Sequence, residues 1–172
     1  MRISTRTAFV ISVFFFTSSA HAALDLAELN DRAAVEEKIL TLFIKTDEKD
    51  WPAVREVFTP QVKFDMSSLT GQAASTMAAD AIAAMWEKGL APIQAIHHQA
   101  GNFRYQFGPG GADVRCYGIA YHYRAVKSHK NTRVFVGSYH FHLVRIEGAW
   151  KIDAIRYNSQ FVDGNLKLDS EK

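Results

Sequence analysis

Between Leu26 and Asp47 apolar side chains recur at Leu29, Val35, Ile39, Leu42 and Phe43, and Thr46 continues the row. Glu36, Glu37, Lys38 and Lys45 fill the intervals. Steps of three and four make one apolar stripe along a helix. Asp50 stands where an N-cap is needed before Trp51-Pro52, and the second helix so begun must stop before Pro60. Val62, Phe64 and Met66 alternate with Lys63 and Asp65, the period of a half-buried strand. Ser75 or Thr76 then caps a third helix whose Ala78, Ile82, Met85 and Trp86 share a face, closed by Gly89. Beyond Pro92 the pattern changes to long runs of Ile, Val, Tyr, Phe and His: residues 96–107, 112–126, 133–146 and 150–161. Gly108-Pro109-Gly110-Gly111, the Lys127 to Thr132 loop and Glu147-Gly148 separate them, as hairpin connections do. Helices followed by a strand meander predict an α+β domain, helices packed on one face of a curved antiparallel sheet.

The first residues stand apart from this pattern. Arg2 and Arg6 precede an apolar stretch from Ala8 to Phe16, and Ala20-His21-Ala22 follows. This is the order of a secretory signal peptide, with cleavage expected after Ala22. The stretch is too short for the roughly 20 residues of a membrane span. Residues 1–22 are therefore read as a leader and 23–172 as the domain, periplasmic or secreted. The whole chain carries 20 basic and 18 acidic side chains. Loss of Arg2 and Arg6 brings the two into balance, so composition argues against a nucleic-acid partner. Cys116 is the single cysteine and is expected as a small buried residue.

The histidines supply the candidate chemistry. If the first hairpin closes with Phe107 opposite Asp113, His98 lies opposite His122 on one face. That face of the second strand also carries Val114, Cys116, Gly118 and Ala120, small residues that leave room for a cavity. A one-residue slip would separate the two. Asp47 lies four residues after Phe43 on the apolar stripe, where a carboxylate needs a partner. Set against a histidine, it would fix the ring's tautomer and prepare a general base, leaving the other histidine as acid or oxyanion donor. A purely structural helix-ending role for Asp47 stands beside this. His97 should face the other way from His98. His140 and His142 share a face without a third ligand at metal spacing, so they and the tyrosine-rich outer face are read as a subunit interface.

Thr46-Asp47-Glu48-Lys49-Asp50-Trp51, Phe58-Thr59-Pro60, Val62-Lys63-Phe64-Asp65, Ile96-His97-His98, Ala120-Tyr121-His122 and Gly148-Ala149-Trp150-Lys151-Ile152 together resemble the SnoaL-like branch of the nuclear transport factor 2 superfamily. Within it they are most similar to the scytalone dehydratase-like group. The resemblance runs from about Ala27 to Phe161. It implies a cone-shaped fold around a deep pocket, with Asp47, His98 and, allowing one gap, His122 at the catalytic positions. Asp47 and His98 also match the dyad of the dehydrochlorinases of this superfamily. Thr46 and Met66 stand where the dehydratases place water-holding tyrosines, and Tyr139 stands near a pocket asparagine. Together with Phe43 and Trp86 these are the expected substrate contacts. The resemblance implies a cofactor-free, metal-free lyase or isomerase for a small hydrophobic or aromatic molecule, assembled as a homodimer. A binding protein using the same pocket, and a structural oligomer with a filled core, are the alternatives.

Overall fold

A computed structural model describes residues 26–171; the leader expected over residues 1–22 lies outside the described residues. The apolar stripe forms α1 (Leu26–Asp47), which buries Val35, Ile39, Leu42, Phe43 and Thr46. Leu29, expected on the buried face, is exposed, because the first turns run past the core. Asp50 caps α2 (Trp51–Glu56) as expected, its Oδ1 accepting from the Ala53 N–H at 3.2 Å.

β1 (Phe58–Asp65) starts earlier than the alternation suggests and runs through Pro60. Proline is tolerated because pairing with the next strand begins only at Gln61 and pairing on the other side is broken between Phe58 and Lys63. Met66 does not extend this strand. Asp65 Oδ1 accepts from the Ser67 N–H and hydroxyl at 3.0 and 2.6 Å, and this turns the chain into the single-turn α3 (Ser67–Thr70).

Ser75 and Thr76 do not cap a helix. They open β2 (Ser75–Ala78), paired with Phe64 and Lys63 of β1, and α4 (Ala79–Leu90) starts after an extended Ala78 with no side-chain cap. The free edge of β1 offers a ladder of backbone bonds where a cap offers one or two. Gly89 lies inside the last turn of α4 instead of ending it.

The four long runs become β3 (Ala95–Gly108), β4 (Gly111–Tyr123), β5 (Thr132–Ile146) and β6 (Ala149–Gly164). β4 stops at Tyr123, three residues short of the run's end, and β6 goes three beyond. Strand order is β2-β1-β6-β5-β4-β3. All neighbours are antiparallel except β1 and β6, which run parallel because the α-helical segment and the meander separate them in sequence. Glu147 and Gly148, with φ of 50° and 82°, make the tight β5–β6 turn.

The β3–β4 register corrects the expectation in an informative way. Phe107 pairs with Ala112, not Asp113, so the tip is slipped by one residue. A bulge between Gly101 and Arg104, with Asn102 at φ 57°, then inserts a residue into β3. Past it His98 pairs with Ala120 and Ile96 with His122. The two histidines are thus not opposite but diagonal, and still on one face. The core lies between that face and the helices, built on Ile39, Leu42, Ile82, Phe141, Leu143 and Ile152. A smaller cluster joins Ile93 and Ile96 to Leu168, which is fully buried in the chain's last turns.

Candidate active site

Asp47 is the last residue of α1, where the helix reaches the outer strand β3. Its Oδ1 accepts from His98 Nδ1 at 2.5 Å and its Oδ2 from the His98 backbone N–H at 2.9 Å. A carboxylate can only accept here, so Nδ1 carries a proton, and in the neutral ring Nε2 holds the lone pair. Phe43, one turn back on α1, stacks on the imidazole with centroids 5.2 Å apart and planes 18° from parallel. Both faces of the pairing are thereby fixed, by a carboxylate at the edge and an aromatic ring on the plane.

His98 and His122 line a cavity of about 720 Å³, while Asp47 stands behind His98 and does not line it. That volume suits a drug-sized molecule. The five expected contacts, Phe43, Thr46, Met66, Trp86 and Tyr139, all line this cavity and leave it open. No lysine or arginine is among its lining residues, which are mostly apolar.

His122 is buried, with its ring 5.0 Å from that of Phe135. Burial first, then the Arg133 and His98 charges, push its pKa down to about 4. At neutral pH it is uncharged. The expected role of proton-carrying acid therefore does not fit it, and the role of neutral N–H donor does.

Two tyrosines that line the cavity lie over two glycines, and the Tyr139 ring centroid is 5.0 Å from that of Phe43. Gly118 and Gly137 are paired across β4 and β5. A Cβ on Gly118 would sit 2.4 Å from the Tyr139 ring, and one on Gly137 would sit 2.7 Å from the Tyr157 ring. Only glycine lets the rings settle onto the sheet. The rings stand 4.8 Å apart. Burial raises the pKa of both hydroxyls, opposed at Tyr157 by the neighbouring Ser159 hydroxyl, so both stay protonated. Among the described residues the buried Tyr157 hydroxyl makes no hydrogen bond of good geometry.

Tyr157 and Asp169 line the cavity and were not singled out from sequence. For Tyr157 the signal is the cross-strand glycine pair, visible only once the register is known. His140 Nε2 and His142 Nδ1 contact Asp113 at 3.2 Å and Asp153 at 2.6 Å, each histidine with its own aspartate. Among the described residues no group of three or more His, Cys, Asp or Glu is placed to hold a metal ion. Cys116 is buried, its thiol pushed up to about 12 chiefly by burial and then by Glu36. At neutral pH it stays a protonated thiol.

Helices closing one face of a curved sheet around a cavity define an α+β pocket domain. Residues 27–156 match the family model of the SnoaL-like domain, and the chain belongs to that family. The Kfla4162 protein of Kribbella flavida is 20% identical, with a TM-score of 0.77 over 82% of this chain and 97% of that one. A Novosphingobium aromaticivorans protein assigned as a scytalone dehydratase is 18% identical, with a TM-score of 0.69 over 80% and 89%. The LinA-type3 hexachlorocyclohexane dehydrochlorinase of Novosphingobium barchaimii is 14% identical, with a TM-score of 0.68 over 83% and 94%. These likenesses establish the shared fold. No curated protein sequence matches the chain.

Proposed function

We propose that this protein is a cofactor-free lyase or isomerase acting on a small, uncharged, hydrophobic or aromatic molecule. The observation that carries this reading is the Asp47–His98 pair, with His98 at the wall of an open, largely apolar cavity. In the reaction His98 Nε2 takes a proton from a substrate carbon, and Asp47 stabilises the imidazolium that forms. The C–H electron pair then either expels a leaving group from the adjacent carbon, which departs with its bonding pair, or shifts along the substrate to be protonated elsewhere. The proton on His98 passes to the leaving group, to the new carbon site or to water. His122, uncharged, and the Tyr139 hydroxyl donate hydrogen bonds to oxygen or to the leaving group as negative charge develops. The neighbour named as a dehydrochlorinase, and the one assigned as a dehydratase, favour elimination as the reaction type.

We also propose that the chain is exported, cut after Ala22, and acts as a homodimer. The test begins with native mass spectrometry of periplasmically expressed protein, reporting the mature N-terminus and any co-purified small molecule. On that molecule His98→Ala is expected to lower turnover by about 10²- to 10⁴-fold with binding retained. Asp47→Asn should reduce turnover in the same direction. A molecule bound tightly but never converted by the wild type would instead establish the binding-protein reading.

A further inference from the structure

His122 and Arg133 are directly paired on β4 and β5, on the face that lines the cavity. Among the described residues each has a buried atom without a hydrogen-bond partner: Nδ1 of the imidazole and Nε of the guanidinium. Arg133 Nε–H can only donate, and Nδ1 accepts when the ring carries its proton on Nε2. In that tautomer the two atoms are of opposite character, and on cross-strand partners a direct bond or one bridging water would satisfy both.

The guanidinium is fixed on its other sides. Its carbon lies 5.1 Å from the Phe135 ring centroid, and Nη1 donates to Asp169 Oδ1 at 3.2 Å. Asp169 is itself held in place. Arg124 Nη1 donates to the carbonyls of Leu168 and Asp169 at 3.0 and 2.9 Å, and the fully buried Leu168 anchors the segment. Asn165 Nδ2 adds a bond to Glu171 at 2.7 Å. The C-terminal segment therefore reaches the cavity through Asp169, which is held there by these bonds.

We propose that Arg133, clasped by Asp169, is a positioning residue of the site. It presents Nε–H to His122 Nδ1, so that the ring stays uncharged and offers Nε2–H to the bound molecule. This rests on the part given to His122 in the proposed reaction, but the claim about its charge and tautomer stands or falls separately. The charged and titratable groups facing His122 are Arg133 from β5, His98 from β3, Asp47 from α1 and Asp169 from the C-terminal segment. Arg133 and His98 oppose a charge on the ring, while Asp47 and Asp169 favour one.

The experiment is imidazole ¹⁵N NMR of the folded protein without ligand, followed from about pH 8 to about pH 4, where a histidine proton is gained. The wild type should show His122 as the Nε2–H tautomer over most of this range. Arg133→Met should raise the apparent pKa of His122 by about one unit and let the second tautomer appear. Arg133→Gln, which keeps a donor without the charge, should raise the pKa while holding the tautomer, and it serves if the Met variant fails to fold. Arg133→Lys should keep the pKa low. A wild-type ring protonated on Nδ1, or an unchanged His122 titration in folded Arg133→Met or Arg133→Gln, would overturn the proposal. If the NMR results agree while folded Arg133→Met, with its second tautomer populated, leaves turnover untouched, the clasp stands and the role of His122 in the reaction fails.

Discussion

Asp47 was legible as a residue out of place, a carboxylate on an apolar stripe, and the bond it makes explains its position. Its partner was legible only as one of two adjacent histidines, sorted by strand alternation. The charge state of His122 was not legible, because it depends on burial and on Arg133, neither visible until the strands are paired. That charge state has a consequence for stability. The ordinary histidine value is 6.5, and the folded value is about 4. Between these the unfolded chain takes up a proton that the folded chain refuses, so falling pH favours unfolding. The uncharged ring contributes fully above about pH 6.5 and its contribution is lost by about pH 4, on the order of 3 kcal/mol. In urea unfolding at successive pH values, His122→Gln should flatten this part of the profile. A wild-type profile level across that range would contradict it.

Among elements, the β3 bulge keeps two stretches of opposite parity on one inner face. At the hairpin tip the inward residues of β3 are Phe103, Tyr105 and Phe107; beyond the bulge they are Ala100, His98 and Ile96. Deleting Asn102 should remove the extra residue and carry the His98–Ala120 register through to the tip, so that Phe103, Tyr105 and Phe107 keep the inner face together with His98. The expected result is a folded hairpin that retains the Asp47–His98 bond, seen as a persisting low-field Nδ1 proton; loss of that signal would show that the bulge itself places His98. A repeated alternation shows that a strand exists but not where it skips, so the bulge was unreadable in the sequence even though the small-residue face of β4 was plain. The same limit applies to β2, whose Ser75 and Thr76 have the chemistry of a cap but lie beside an unpaired strand. Gly118 supplies a second check on element packing. Gly118→Ala drives a methyl into the Tyr139 ring and should cost about 1 to 3 kcal/mol, measured by denaturant unfolding, with weakened ligand binding. A variant as stable as the wild type would show that the ring is free to move.

For the molecule as a whole, the α+β architecture followed from the change of period alone, while strand order and the parallel β1–β6 pair did not. Those depend on which edges meet after the helices have packed. The outer face of the sheet carries Ile119, Val136 and Phe161 in one paired row, flanked by Tyr117 and Tyr121, and Tyr117, Tyr121 and Phe161 are exposed. Aromatic side chains of this kind favour an interface, and a stable one needs about 800 Å² from each partner. If the proposed homodimer forms here, Phe161→Glu should shift the light-scattering mass from twice the subunit to one. A wild-type monomer would refute the dimer, and a variant that remains dimeric would move it to another face.

The bond from Asp47 Oδ2 to the His98 backbone N–H bears on how the chain behaves in company. β3 ends the sheet, and an unpaired strand with open N–H groups invites another chain to add to it. Asp47 occupies one of those groups and puts a negative charge beside it. The same carboxylate that orients the imidazole therefore also guards the sheet against aggregation.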